Sequence, residues 1–423
     1  MPVCSARRRI LLKWLPWASY GQFPFDALVD LVTRTHLSGA KLPNIARPSI
    51  AHATLSPAQV AALRHVDAIV HDKGAPALLS VAAIFKRAGF PLDNYSEAME
   101  SIRQDARIVA HFHPDRFGGK PSNVADCLLI EGEYRNQFET GLSSGSPTAF
   151  PGGERDDWER TLFGGAYHTE GVLASERPKY GSLELIRFPD GPAPRFGSCY
   201  FVLRGVGART SITFMGSEDP HATNRVGTLA TPHAVMAALL AEIENGGIAS
   251  PPWPPFRAPT LGMPGITVSG FYDVLKILRQ RRPNPSRGEP GRVLDTGVEA
   301  QVHGPIMLSR DVEMLVADPA FAHTRVGQTL IELADKYGFD LHWHCGFRLP
   351  VRDVPDDFRG PAMPRIAERI AGMDGVLDAG VIGRAAASLH HGPGQWSEWG
   401  GYFDVLRLFR QLWHVLVHFG ARI

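Results

Sequence analysis

The segment Arg107-Ile-Val-Ala-His-Phe-His113 decides the fold class of this chain, because its β-branched and aromatic residues are typical of a β-strand. Short β-rich runs of the same kind recur at residues 182–187, 198–203, 210–214 and 297–303. Gly/Pro-rich turns separate them, and few of the intervening helices are long enough to serve as crossovers between parallel strands. The sequence therefore predicts an α+β protein rather than a doubly wound parallel sheet.

Helices are predicted on both sides of these strands. Ser56 followed by Pro57 is a typical helix start, with an N-cap and a proline in the first turn. The patterns after it predict three helices, at Ala58–Lys73, Leu78–Ala88 and Tyr95–Arg107. At the other end of the chain, Tyr402–Phe419 is predicted to form an amphipathic helix.

These predictions divide the chain into three parts. Residues 1–54 show no sustained periodicity and are expected to be loosely ordered, whereas residues 55–107 form a helical region. Residues 108–423 form the α+β core that we expect to be catalytic. Proline-rich tracts predict surface insertions in this core near residues 250–292.

Composition excludes several functional classes. The 44 Lys and Arg residues nearly balance the 43 Asp and Glu residues, so the net charge of +1 disfavours a general nucleic-acid binder. The four cysteines include no close pair, which disfavours a disulfide framework or a Cys-based zinc site. No apolar run approaches about 18 residues, so no membrane partner is expected. The expected location is the cytoplasm, or another cell if the chain is an effector exported without a cleavable signal.

The first candidate site follows the deciding strand. On a strand, His111 and His113 point to one face, and Arg116 then lies just beyond the C-terminal end of the strand. The two imidazoles suit metal ligation, and histidine together with arginine suits recognition of an anion or amide. The alternative is a solvated strand end with an internal ion pair between Asp115 and Arg116.

The second candidate site is the run Val298-Glu-Ala-Gln-Val-His303. Strand alternation places Glu299, Gln301 and His303 on one face and the apolar residues on the other. A carboxylate held there would stabilise an oxocarbenium-like centre or orient a sugar hydroxyl. The alternative is a half-exposed edge strand.

Tyrosines beside glycines form a third group. Tyr167 follows Gly164-Gly165, Tyr180 precedes Gly181, and Ser198 lies in the related segment Phe196-Gly-Ser-Cys199. Such tyrosines stack on flat rings, while a neighbouring glycine lets a ligand approach the backbone. Packing at strand ends is the simpler explanation for each one.

A metal site is the main alternative. His342 and His344 share one face of a predicted strand, Phe339–His344, and they repeat the spacing of His111 and His113. Together the four histidines would make a metal centre, although nothing in the sequence brings the two strands together.

Several of these segments resemble a bacterial family known mainly as a domain of unknown function. The resemblance runs from about residue 55 to the C-terminus. The matching segments include His111-Phe-His-Pro-Asp-Arg116, Gln137-Phe-Glu-Thr-Gly141, Arg177-Pro-Lys-Tyr-Gly181, Phe196-Gly-Ser-Cys199, Glu299-Ala-Gln-Val-His-Gly304 and Gln411-Leu-Trp-His414.

The order of these segments also resembles the core of mono-ADP-ribosyltransferases. That resemblance implies a split antiparallel or mixed sheet, with a His or Arg on the first strand, an aromatic residue in the middle and a Glu on a late strand. It assigns the late acid to Glu299 and the tyrosine to Tyr167 or Tyr180. The Ser-Thr-Ser run of that family is missing from this sequence, and Ser198 is the candidate for its role. The Glu-x-Glu pair of the family is replaced here by Glu299-x-Gln301.

The resemblance implies an enzyme that transfers ADP-ribose from NAD, its substrate, to a protein acceptor such as a host protein, without a metal. Glu299 would stabilise the ribosyl cation, Gln301 would guide the acceptor, and His113 would complete the catalytic group. The expected NAD-binding residues are His111, Arg116, Tyr167, Tyr180, Gly181 and Ser198. The alternatives are a metal-dependent hydrolase that uses the paired histidine strands and a non-catalytic interaction protein.

Overall fold

The fold is built around one long mixed β-sheet. The structure, a computed structural model, describes residues 55–118, 121–142, 148–205, 211–216, 225–246, 248–249, 257–258, 265–276, 278, 294 and 298–422, which all fall in one compact unit, Ile50–Ile423. The α+β class is therefore confirmed. The predictions for residues 1–54 and for most of residues 250–292 lie outside the described residues.

The strands are short, as the spacing of the β-rich runs predicts. In chain order they are β1 (Arg107–Phe112), β2 (Glu133–Tyr134), β3 (Lys179–Glu184), β4 (Cys199–Leu203), β5 (Ile212–Met215), β6 (Val226–Thr228), β7 (Ile248–Ala249), β8 (Arg257–Ala258), β9 (Glu299–Val302), β10 (Ile306–Met307), β11 (Val312–Ala317), β12 (Asp340–Trp343), β13 (Phe347–Pro350), β14 (Val376–Leu377) and β15 (Ala421–Arg422).

Helices precede, interrupt and follow the strands. They are α1 (Pro57–Arg87), α2 (Asp93–Asp105), α3 (Val124–Glu131), α4 (Gln137–Thr140), α5 (Glu154–Leu162), α6 (His233–Glu244), α7 (Val268–Lys276), α8 (Leu308–Asp311), α9 (Arg325–Tyr337), α10 (Ala362–Ala371), α11 (Ala379–His391) and α12 (Tyr402–Phe419). The predicted C-terminal amphipathic helix is confirmed with both of its ends. Its residue Phe403 is largely exposed, whereas Phe409 and Trp413 are buried.

The main sheet has the order β12-β11-β4-β1-β3-β9-β5-β6. Each neighbouring pair is antiparallel except β11 and β12, which run parallel. One face carries Ile108, Phe112, Phe201 and Leu315 into the main hydrophobic core. The opposite face carries Tyr180, Glu299 and Gln301, and beside them a smaller apolar cluster that includes Val109 and Val202.

The N-terminal helical region differs from the prediction. The residues Gly74-Ala-Pro76 do not break it, because α1 runs without interruption through Pro76. Both ends of α1 are anchored: Val66 packs in a small cluster with Phe163, and Val81 packs in the main core. Burial at both ends outweighs the hydrogen bond lost at Pro76, which lies on an exposed stretch.

The start of α1 is as predicted. The Ser56 side chain accepts a hydrogen bond from the backbone N–H of Gln59, and the Gln59 side chain returns one to Ser56. By length and hydropathy, α1 is the one described helix that would be able to cross a membrane.

A glycine determines where α3 ends. The helix α3 ends at Gly132, which adopts a left-handed conformation with a φ of 69°. A side chain at this position would meet the Tyr337 ring, 2.7 Å from its hydroxyl oxygen. Glycine therefore permits both the turn and the close packing of α9.

Candidate functional site

Three neighbouring strands at the centre of the sheet carry the residues that the sequence singles out. The strand β1 carries His111, β3 carries Tyr180, and β9 carries Glu299 and Gln301. β3 lies between β1 and β9, and Tyr180 is paired with Gln301 in the ladder. On the other side of β9, Gln301 is paired with Thr213 of β5. Because paired residues share one face of a sheet, these side chains lie side by side.

A chain of four hydrogen bonds runs across this face and ends on Glu299. The Tyr167 hydroxyl is bonded to Nδ1 of His303, and Nε2 of His303 lies 3.1 Å from the Thr213 hydroxyl. Thr213 donates to Oε1 of Gln301 at 2.8 Å, and Nε2 of Gln301 donates to Oε1 of Glu299 at 2.9 Å. Every link except Glu299 is buried.

The hydrogens of this chain are arranged in one direction. Burial and the nearby Lys179 lower the pKa of His303 to about 3, so its ring is neutral and carries one N–H. Because Thr213 gives its hydrogen to Gln301, it accepts from Nε2–H of His303, and Nδ1 then accepts from Tyr167. The chain therefore points donors towards Glu299, and the last of them, Nε2 of Gln301, holds the carboxylate in one orientation.

A second network lies beneath Tyr180. The Tyr180 hydroxyl donates to Oε1 of Glu159 at 2.8 Å, and Nη1 of Arg177 donates to Oε2 at 2.9 Å. Nη2 of Arg177 lies 2.6 Å from Asp156, which also contacts Nε2 of His168 at 2.9 Å. These bonds join α5 to the start of β3 and hold Tyr180 in place.

Glu159 is unusual among the carboxylates because its side chain has no exposed surface. Burial raises the pKa of Glu159 to about 7, against the lowering effects of Arg177 and Tyr180. The carboxyl group can therefore change its protonation state near neutral pH. Its protonation state in turn affects how strongly it orders Tyr180 and Arg177.

The outer edge of the site is a charged pair. Nη1 of Arg155 lies 3.9 Å from Oε2 of Glu299, with side chains 16% and 26% exposed, so both are open to solvent. The guanidinium carbon of Arg155 lies 4.5 Å from the ring centres of both Trp158 and Tyr180. Aromatic rings therefore hold a cation beside the accessible carboxylate.

The sequence predictions fall into two groups in space. Glu299, Gln301, Tyr167 and Tyr180 are brought together by the hydrogen bonds and strand pairings described above. Within this group, Gln301 and Tyr167 are buried, whereas Tyr180 is half-buried and Glu299 is partly exposed. Gln301 thus contacts Glu299 from the buried side of the carboxylate. Of the two tyrosines, Tyr180 is open to a ligand and Tyr167 is not.

Gly181 has a packing role. A side chain there would lie 2.8 Å from the backbone oxygen of Val109 and 2.9 Å from a methyl carbon of Ile108. The missing side chain thus lets β3 approach β1 closely. This position does not face the same side as Tyr180, because neighbouring residues of a strand alternate between faces.

The remaining predicted residues have other partners. Nδ1 of His111 lies 3.2 Å from the backbone oxygen of Gly197, and its Nε2 accepts from the backbone N–H of Ala193 at 3.3 Å. Nδ1 of His113 lies 3.3 Å from the hydroxyl of Ser198.

His113, with Ser198 beside it, lies near the C-terminal helix. The His113 ring packs edge-on against Trp413 of α12, with ring centres 5.1 Å apart. Arg116 is bonded to the neighbouring Asp115 at 2.7 Å, which is the internal ion pair that the sequence left open. The structure does not join these residues to the Glu299 group by a described contact.

The four-histidine metal site is not formed by the described residues. His342 is exposed, while Nε2 of His344 lies 3.1 Å from the backbone oxygen of Ser198. Both ring nitrogens of His111 face backbone groups. Among the described parts of the chain, no group of three or more His, Cys, Asp or Glu side chains is placed to hold a metal ion.

Several members of the site were not among the predicted site residues: Thr213, Arg177, and Arg155 and Glu159 of α5. That helix carries several acidic residues in a run that is typical of a solvated surface helix. A weak signal was available, because Asp156 and Glu159 are three residues apart and so share one helix face. Only the tertiary contacts with Arg177 and Tyr180 explain why that face is buried.

Comparison with known proteins identifies a family but no activity. Residues 107–419 match the family described as "Protein of unknown function (DUF3626)". A comparison with curated proteins found no significant match. The family match spans all of the main sheet and α12, about three quarters of the chain. The chain therefore belongs to the DUF3626 family.

Proposed function

We propose that this protein cleaves NAD, releases nicotinamide and transfers ADP-ribose to a protein acceptor. One observation carries the proposal: Glu299 is a partly exposed carboxylate at the end of a directed chain of buried hydrogen bonds. A fixed negative charge of this kind is suited to stabilise a positive charge that develops on a sugar ring.

Cleavage of the bond between nicotinamide and ribose requires little beyond a carboxylate held beside the ribose. As the bond between nicotinamide and ribose breaks, nicotinamide leaves with the bonding electron pair, and positive charge develops on the ribose. Glu299 would stabilise this charge while the acceptor side chain forms the new bond and gives its proton to solvent. Preorganised electrostatic groups of this kind are worth roughly 3 to 4 kcal/mol each.

The other residues of the site receive supporting roles. Gln301 is a positioning residue, because its buried amide donates to Glu299 and is not open to an acceptor. Arg155 would exchange Glu299 for the phosphate groups of NAD, which frees the carboxylate for the ribose. Tyr180 and Trp158 would contribute flat aromatic surface for the nicotinamide ring.

The order of the central strands supports the resemblance to mono-ADP-ribosyltransferases. His111, Tyr180 and Glu299 lie on three consecutive strands, β1, β3 and β9, in the order that the resemblance requires of a histidine, an aromatic residue and a late acid. In this proposal the acceptor is a protein, including a host protein if the chain is an exported bacterial effector. No nucleic acid, membrane or metal takes part.

The test is nicotinamide release from NAD by the full chain, with and without a mixed cell lysate as the source of acceptors. Release that continues in the presence of a chelator would support the proposal. Release that a chelator abolishes would favour the metal-dependent alternative. No release under either condition would overturn the proposal and leave a non-catalytic interaction protein as the better account.

A further inference from the structure

The guanidinium group of Arg155 occupies a space that is bordered by two aromatic rings and a carboxylate. Its central carbon lies 4.5 Å from the ring centre of Trp158 and 4.5 Å from that of Tyr180. Its Nη1 atom lies 3.9 Å from Oε2 of Glu299. We call the space between Trp158, Tyr180 and Glu299 the cation site. All three side chains are only partly buried, so each keeps surface that solvent reaches.

The surroundings of the cation site favour a positive charge. The faces of two aromatic rings attract cations, and Glu299 adds a carboxylate at the edge. A second carboxyl group, Glu159, lies behind Tyr180 and accepts its hydroxyl hydrogen at 2.8 Å. Burial alone lowers the pKa of Arg155. Its pKa is nevertheless raised, through the effects of Tyr180, Glu299 and Glu159.

Arg155 is held in this space weakly enough to be replaced. The 3.9 Å between Nη1 and the carboxylate oxygen is longer than a hydrogen bond, so little is lost when that contact opens. The helix α5 does not favour a cation at this position either, because a helix N-terminus favours negative charge. The acidic residues of the same first turn are Glu154, Asp156 and Asp157. The long stem of arginine lets the charged group turn out towards solvent.

We propose that the cation site binds a planar organic cation of the N-alkylpyridinium class, and that Arg155 is an internal competitor for this ligand. An N-alkylpyridinium ring and a guanidinium group are both flat and carry a delocalised positive charge. The ligand enters when Arg155 turns out of the site. A neutral ring of the same shape binds more weakly, because it lacks the attraction to Glu299 and to the two aromatic faces.

The natural ligand follows from the proposed function, and this identification rests on it. The oxidised nicotinamide ring of NAD is an N-alkylpyridinium, whereas the reduced ring of NADH is neutral. The cation site would therefore select the oxidised dinucleotide by the charge of its ring. Binding of the cation does not itself require cleavage of NAD, so the site and the reaction can be tested separately.

The test is calorimetric titration of the full chain with the 1-methylnicotinamide cation and, separately, with neutral nicotinamide, at constant ionic strength. Arg155→Ala removes the internal competitor, so it should bind the cation at least about 10-fold more tightly than the wild type does. The same variant should bind the cation at least about 10-fold more tightly than nicotinamide. Addition of Glu299→Gln to Arg155→Ala should reduce this preference, because the carboxylate charge is lost.

The matched control is Arg369→Ala in α10. The guanidinium carbon of Arg369 lies 4.7 Å from the ring centre of Trp396, and its Nη1 lies 2.9 Å from Glu398. This arginine thus has one aromatic ring and a carboxylate beside it, where Arg155 has two rings. Arg369→Ala should bind both ligands like the wild type. An equal gain in Arg369→Ala and Arg155→Ala would show that any uncovered indole ring suffices, and it would overturn the proposal.

Melting temperatures separate binding from folding. Arg155→Ala should melt below the wild type, and 1-methylnicotinamide should raise its melting temperature more than nicotinamide does. Arg155→Gln, a smaller change, should show the same order of affinities. Equal affinities of the wild type and Arg155→Ala for the cation would overturn the proposal, as would equal affinities of Arg155→Ala for the cation and for nicotinamide. Loss of the proposed function alone would appear differently, as cation binding without nicotinamide release from NAD.

Discussion

The hydroxyl group of Tyr180 donates a hydrogen bond of 2.8 Å to Oε1 of Glu159, a carboxyl group with no exposed surface. The second oxygen of Glu159 accepts from Arg177 at 2.9 Å. Both oxygens are therefore satisfied, and the helix α5 is tied to the central strand β3 through them. This bond fixes the ring that we propose contacts nicotinamide.

The roles of the Tyr180 hydroxyl group and of its aromatic ring should be separable by substitution. Tyr180→Phe removes only the bond to Glu159, so the free energy of unfolding should fall by about 1 to 2 kcal/mol while the KM for NAD changes little. Tyr180→Ala also removes the ring and should raise the KM about 10-fold. Urea denaturation and steady-state kinetics measure the two effects.

A control for this pair is Tyr95→Phe. Tyr95 is buried and its hydroxyl lies 2.8 Å from Nδ1 of His233, away from the Glu299 group. This variant should lose stability and keep the KM of wild type. If Tyr180→Ala also kept the wild-type KM, Tyr180 would have no part in binding NAD.

Thr213 should act on Glu299 through Gln301. Thr213→Val keeps the shape of the side chain but breaks the hydrogen-bond chain between His303 and Gln301. We expect the kcat for nicotinamide release to fall about 10-fold, since the carboxylate loses its fixed orientation. The matched control, Thr329→Val, removes the hydrogen bond that the buried Thr329 donates to Asp126, and it should lower stability without changing kcat. Equal kcat values for the two variants would exclude a positioning role for Thr213.

Glu184 should make the stability of the protein depend on pH. It is buried at the end of β3, and burial raises the pKa of Glu184 to about 7, against the lowering effects of Arg187 and Arg107. The folded protein therefore binds a proton more tightly than the unfolded chain, whose glutamate has its ordinary pKa of 4.5. The resulting stabilisation is complete below pH 4.5 and is lost as the pH rises through about 7.

The size of this effect can be measured directly. The free energy of unfolding should lose up to about 3 kcal/mol from Glu184 between pH 5 and pH 8, as followed by urea denaturation. Glu184→Gln imitates the protonated form, so it should be more stable than wild type at pH 8 and less dependent on pH. The exposed Glu332→Gln serves as control. A Glu184→Gln variant with the wild-type pH profile would contradict this account.

Local sequence patterns predicted an element well where its bounds depend on the local sequence and not on contacts with distant residues. The helix α12 has the bounds that its apolar periodicity predicts, Tyr402–Phe419. Strand β3 was displaced: Ser182–Arg187 was expected, whereas the strand is Lys179–Glu184. Its bounds depend on pairing with β9, and such non-local pairing leaves no clear local pattern.

The candidate site was predicted only in part, because some of its members are fixed by local alternation and others by contacts between distant residues. The alternation in β9 predicts that Glu299, Gln301 and His303 share a face, and the hydrogen bonds through Thr213 agree with this. Glu159 was missed because its burial depends on contacts with residues 18 and 21 positions away. The sequence did not determine whether the four histidines His111, His113, His342 and His344 meet. Among the described residues they do not form a metal-binding group.

The most direct test of the central claim compares nicotinamide release by the wild type, Glu299→Gln and Glu313→Gln. Glu313 is a partly exposed glutamate of the same sheet, paired with Arg107 at 2.9 Å, and so controls for the loss of a strand carboxylate. We expect Glu299→Gln to release nicotinamide at least about 100-fold more slowly, with an unchanged unfolding midpoint. Glu313→Gln should match the wild type. A wild-type rate in Glu299→Gln would contradict the proposed role of Glu299.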